Sequence, residues 1–109
     1  MIYKKFNVVT VPFPFTDCMT FKKRPALVIS SEKYQSITNH CILCMITSAK
    51  QSEWSSDVPI VNLKDTGLLK PSKIRFKVFS VPSELLIKRI GQLSSSETSL
   101  VKNRLVKIF

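Results

Sequence analysis

Apolar and polar positions alternate along residues 6–15 (FNVVTVPFPF). Val9, Val11, Phe13 and Phe15 share one face; Thr10, Pro12 and Pro14 share the other, the spacing of a half-buried strand. Two prolines cannot donate to a ladder, so the later half lies at an edge or leaves the sheet. Residues 16–23 are a mixed polar loop carrying Lys22 and Lys23. Residues 24–30 (RPALVIS) are a continuous apolar run behind Arg24 and read as a buried strand. Residues 31–38 read as a polar turn region. Residues 40–47 (HCILCMIT) read as a second buried strand, and 48–56 as a polar loop with room for a helical turn. Residues 57–61 are a short strand limited by Pro59. Residues 62–71 hold a turn in which Gly67 takes positive φ after a short helical piece. Residues 72–81 read as a basic strand, 82–86 as one helical turn entered by Pro82 and Ser83, and 87–93 as a last strand.

The chain closes with its clearest helix. Ser94 and Glu97 fit a capping box, in which hydroxyl and carboxylate satisfy orphan backbone N–H groups reciprocally. Leu100, Val101, Leu105 and Ile108 follow helical spacing on one face. Lys102, Arg104 and Lys107 are solvated and suit the negative C-terminal end. Five to seven short strands with one terminal helix predict an α+β, mostly β fold: a small, strongly bent barrel or sandwich. At 109 residues the chain is read as one domain, 1–109, with no room for a second core.

Charge narrows the function. Seventeen Lys and Arg against seven Asp and Glu give +10, where about 2 to 8 charges suffice for solubility. A polyanionic partner is the usual reason: nucleic acid, anionic membrane or acidic protein. The longest apolar run, Cys41 to Ile46, falls far short of the roughly 20 residues that span a bilayer, and no leader pattern is visible. Three cysteines without a secretory signal read as free thiols in a reducing cytoplasm.

The ordinary catalytic sets are mostly missing. His40, Cys41 and Cys44 cluster, but a strand sends positions 41 and 44 to opposite faces, and a structural zinc takes four ligands. Both cysteines read as small buried hydrophobes; no metal or cofactor is expected. A single histidine excludes a two-histidine ribonuclease. Gly67 and Gly91 are isolated, so no glycine-rich phosphate cradle exists. What remains is Arg24, where a basic loop meets one buried strand, and Thr47 with Ser48, where the other emerges. If those strands are neighbours, guanidinium and hydroxyls converge at one sheet rim. A guanidinium fork matches phosphate oxygens. The same residues equally fit Arg24 paired with a surface carboxylate and Thr47 and Ser48 capping a strand end.

Five fragments in order resemble the PemK/MazF toxin family: Val11-Pro12-Phe13-Pro14-Phe15-Thr16-Asp17; Lys22-Lys23-Arg24-Pro25-Ala26-Leu27-Val28-Ile29-Ser30; Ile46-Thr47-Ser48; Gly67-Leu68-Leu69-Lys70-Pro71-Ser72-Lys73-Ile74-Arg75; and Ile90-Gly91-Gln92-Leu93-Ser94. The resemblance implies an SH3-like β-barrel with appended helices, working as a homodimer. It implies the toxin of a toxin–antitoxin pair, a metal-independent endoribonuclease that cuts single-stranded RNA to 2′,3′-cyclic phosphate and 5′-hydroxyl ends. The family's catalytic arginine falls on Arg24 and its threonine on Thr47. The loop that gates the RNA groove falls on residues 14–23. Many members begin the first strand with Gly-Asp, where this chain has Phe6-Asn7.

Under that likeness the candidate substrate contacts are Phe15, Thr16, Lys22, Lys23, Ser48, Ser72, Lys73 and Arg75. Phe15 and Phe21 offer stacking surfaces, although core packing suits both as well. A cognate acidic antitoxin would fold along the same groove. Two other readings stay open. One is a nucleic-acid-binding relative that does not cleave. The other is a gyrase-inhibiting toxin of the same fold; that branch ends Trp-Gly-Ile, whereas this chain ends Lys107-Ile108-Phe109 and its only tryptophan is Trp54.

Overall fold

A computed structural model describes residues 2–13 and 22–109. Phe15, Thr16, Phe21 and most of the expected gating loop lie outside the described residues. The elements are β1 (Asn7–Phe13), β2 (Lys22–Val28), α1 (Glu32–Thr38), β3 (His40–Ser48), β4 (Val58–Ile60), β5 (Ser72–Pro82), a 3₁₀ turn (Ser83–Leu85), β6 (Lys88–Gln92) and α2 (Ser95–Ile108). Six strands form one curled antiparallel sheet in the order β4-β5-β3-β2-β1-β6. The mostly-β expectation with a C-terminal helix holds.

The central strands bury both faces, and the side-chain period of two shows why. Cys41, Leu43 and Met45 enter one cluster with Val9, Val11, Val28 and Leu86. Cys44 and Ile46 enter a second with Val8, Leu27, Ile74 and Val101. The continuous apolar runs at 24–30 and 40–47 are therefore strands covered on both sides. The face of β1 expected to be polar is covered too, because Thr10 is half-buried and Pro12 is buried. Cys41 and Cys44 face opposite cores, as the strand argument requires. Both are free thiols.

The turn expected at 31–38 is instead the helix α1. Ser31 caps it by accepting from Tyr34 N at 3.1 Å. Asn39 ends it with φ of 56° and donates to Gln35 O. No apolar stripe announces this helix, because its buried side chain is Gln35. The Gln35 amide accepts from Tyr3 N at 2.9 Å and donates to the carbonyls of Tyr3 and Ser30 at 2.8 and 3.2 Å. A buried amide so bonded replaces an apolar anchor without leaving a polar group unpaired.

The capping box of α2 is only half formed. Ser94 Oγ accepts from Glu97 N at 3.4 Å and donates to Glu97 Oε1 at 2.9 Å. The buried Glu97 carboxylate then accepts from Val61 N at 3.0 Å, so it pins the segment after β4 to the helix start. Val101 is fully buried, Leu105 is partly so, and Leu100 and Ile108 stay exposed. Gly67 does adopt positive φ, at 76°. A Cβ there would come within 2.3 Å of Ile90 O, so the 65–67 turn reaches β6 only through glycine. Phe6 holds φ of 71° at the first of the two positions where many family members have Gly-Asp. The Asn7 carboxamide at the second accepts from Lys4 N at 3.0 Å and anchors the turn into β1.

Candidate active site

Adjacency of β2 and β3 builds the site. Their register pairs Ala26 with Met45; carried two residues outward, it sets Arg24 against Thr47. The apolar halves of both strands are locked in the two cores, so their polar ends emerge together at one rim. Arg24 is exposed, with its guanidinium carbon 5.6 Å from the centre of the Phe13 ring, a cation–π distance. Thr47 is half-buried, and its hydroxyl has no hydrogen-bond partner among the described residues.

Two clefts open from this rim, of about 310 and 390 Å³. They share four residues: Arg24, Ile46, Thr47 and Gln51. The first continues to Phe13, Arg75, Lys77 and Phe79. The second continues to Lys22, Lys23, Ser48, Lys70 and Ser72. No described residue lining either cleft carries a carboxylate. Cations with no lining counter-charge suit an anionic chain.

The expected contacts divide. Arg24, Lys22, Lys23, Thr47, Ser48 and Ser72 meet at the second cleft. The Ser72 hydroxyl donates to Lys70 O at 3.0 Å, and Ser48 Oγ accepts from Lys50 N at 3.3 Å. Lys73 goes elsewhere. It is buried, donates to the carbonyls of Gln51 and Ser52, and lies 3.7 Å from Asp57 Oδ2. Arg75 reaches the first cleft while held by Asp57 at 2.8 and 3.3 Å and by Ser52 O. Its guanidinium also lies over Trp54, 4.8 Å from the ring centre. Burial pushes the Asp57 carboxyl up, but hydrogen bonds from Arg75 and Trp54 N and the charges of Arg75 and Lys73 outweigh it. The net direction is below the ordinary carboxylate range. The hydrogen bond to Asp57 in turn raises Arg75.

Gln51, Lys70, Lys77, Phe13 and Phe79 line the clefts without having been singled out as contacts. Lys77 stands two residues from Arg75 on one face of a basic strand, a signal the alternation carried. Gln51 had none, since a loop glutamine has no period. Burial pushes the Cys44 thiol up to about 12, and burial also raises Cys41 against a hydrogen bond from Ser30. Neither thiol is poised as a nucleophile.

Residues 4–109 match the family model described as the PemK-like, MazF-like toxin of type II toxin–antitoxin systems. The chain belongs to the PemK/MazF toxin family. Solved relatives of the PemK/MazF type share its fold at low identity. MazF from Deinococcus radiodurans superposes with a TM-score of 0.75 at 16% identity, over 99% of this chain and 96% of that one. An endoribonuclease in complex with its cognate antitoxin, from Mycobacterial species, gives 0.75 at 11% identity, over 97% and 91%. A MazE–MazF structure from D. radiodurans gives 0.75 at 18% identity, over 99% and 96%. No curated protein matches the sequence. No helix among the described residues is long and apolar enough to cross a membrane.

Proposed function

We propose that this PemK/MazF toxin is a metal-independent endoribonuclease acting on single-stranded RNA in the cytoplasm, as a homodimer of one-domain chains. One observation carries the reading: Arg24 and Thr47, set against each other by strand register, are both shared by two clefts lined with cations and no described carboxylate. The RNA supplies its own nucleophile. Its 2′-oxygen bonds to the adjacent phosphorus and gives up its proton. The bond from phosphorus to the 5′-oxygen breaks, and that oxygen takes a proton. The products are a 2′,3′-cyclic phosphate and a 5′-hydroxyl.

The chain's work is positioning and charge stabilisation. A guanidinium stays protonated far above neutral pH, so Arg24 acts as a fixed cation against charge growing on the phosphorane. The Thr47 hydroxyl hydrogen-bonds the phosphate or the leaving oxygen. Lys22, Lys23 and Lys70 track neighbouring phosphates, with Ser48 and Ser72 between them. Phe15 and Thr16 belong to the same expected contact set. The net charge of +10 and the same cleft suit an acidic antitoxin segment, which would exclude RNA by occupancy.

The test is incubation with a long mixed-sequence single-stranded RNA in EDTA, beside Arg24→Ala. Discrete cuts with cyclic-phosphate ends, absent in the variant, are expected. Equal cutting by the variant removes Arg24 from the site. No cutting by the folded protein across many RNA sequences removes the ribonuclease.

A further inference from the structure

Among the described residues that line the clefts, Gln51 is the one carboxamide. Besides Arg24, Ile46 and Thr47 it is the one further residue shared by both clefts, so it borders both beside the two candidate catalytic residues. It carries no charge, and its carboxamide makes no hydrogen bond to a described residue. Its backbone, by contrast, is fixed at both ends. Gln51 N donates to Ser48 O at 3.1 Å. Gln51 O accepts from the buried Lys73 ammonium, which also lies beside Asp57. A loop held this way presents one side chain at a defined place without using that side chain to hold itself.

Charged groups in the clefts suit phosphates, which carry no sequence information. A carboxamide offers a donor and an acceptor side by side, and such a pair matches an adjacent acceptor and donor on a base edge. Single-stranded RNA exposes these edges because its bases are unstacked. We propose that Gln51 reads the base of the nucleotide flanking the phosphate at Arg24 and Thr47, through the paired donor and acceptor of its carboxamide. This rests on the ribonuclease reading for the location of the scissile phosphate.

The experiment uses the intact protein and a randomised RNA pool, with cut sites mapped by end sequencing for the wild type, Gln51→Ala and Gln51→Glu. A parallel set of short oligonucleotides, 2′-deoxy at the cleavable nucleotide, is measured by affinity alone. The wild type is expected to favour one base at one flanking position by about tenfold, within the range for a bidentate pair. Gln51→Ala should flatten that position alone. Gln51→Glu, which only accepts, should turn it toward guanine, whose N1–H and N2–H₂ both donate. Preferences unchanged in both variants overturn the inference while leaving the ribonuclease intact. A Gln51-dependent base preference in the uncleavable set, with no cutting of RNA, supports the inference and overturns the ribonuclease. No preference at any position in either assay overturns the inference.

Discussion

Arg24 and Arg75 line the same cleft and differ in almost everything else. Arg75 is clamped by Asp57, a loop carbonyl and the Trp54 ring, 11% of its side chain exposed. Arg24 is exposed, rests against one phenylalanine ring and has no salt bridge among the described residues. One arginine is a structural rivet, and the other is a cation open to a ligand. Side-chain identity does not separate these roles. The separation comes from Asp57, which lies beside Arg75 and Lys73, whereas no described residue lining the β2–β3 rim is an acid. A basic surface thereby stays organised, because part of its charge is neutralised to fix a loop and the rest is left for an anion.

Exchanging the two arginines' fates gives the largest expected effect. Arg24→Ala should cut the RNA-cleavage rate by about 10²–10³, the usual loss for one transition-state donor, with the melting temperature unchanged. Arg75→Ala should do the reverse, lowering the melting temperature while cleavage falls less. Matching losses in both assays for both variants would erase the distinction.

Asp57 sharpens the comparison through pH. Its carboxyl is lower in the folded chain than when unfolded. Its stabilisation is therefore complete above the ordinary carboxylate range and is lost as pH falls below about 4. Urea melts of Asp57→Asn should show lower stability at neutral pH and a shallower decline into acid than the wild type. Parallel declines would mean that the clamp contributes nothing measurable.

Salt gives a smaller effect. If Arg24, Lys22, Lys23 and Lys70 neutralise about four phosphates, log K should fall against log salt with a slope of roughly −3. Lys70→Ala should flatten the slope by about 0.7. Lys73→Ala should leave it unchanged, because that ammonium is taken up by the carbonyls of Gln51 and Ser52 in the loop after β3. A slope change from Lys73→Ala would place it on the RNA instead.

Thr10 gives the smallest effect, and it probes neither arginine. Its buried hydroxyl has no partner among the described residues. Thr10→Val should raise stability by up to about 1 kcal/mol, read in a denaturant melt, with cleavage unaltered.

The sequence made the frame legible where a periodic signal existed. The runs at 24–30 and 40–47 became β2 and β3 because burial on both faces writes itself as unbroken apolar residues. Arg24 and Thr47 could be set at one rim on the condition that those strands pair, which they do. Helix α1 was hidden because a glutamine does the work of an apolar anchor. The diversion of Lys73 and Arg75 was equally hidden, since Asp57 lies 18 residues from Arg75 in the chain. Glu97 was foreseen as a cap, but not as a tether for Val61 N. Local pattern shows which faces are buried. It is silent on which polar group answers another across the fold.

The pairing of β1 with β6, Asn7 opposite Gln92, has a consequence for timing. A chain emerging in order makes β2 and β3 early, yet β6, the strand that seals β1, begins only at Lys88. Contacts so distant in sequence form slowly. A half-made molecule carries the Arg24–Thr47 rim on an unfinished sheet. Under the proposed function, β6 completes the sheet that carries the rim, which gives an inhibitor an interval in which to meet the unfinished chain.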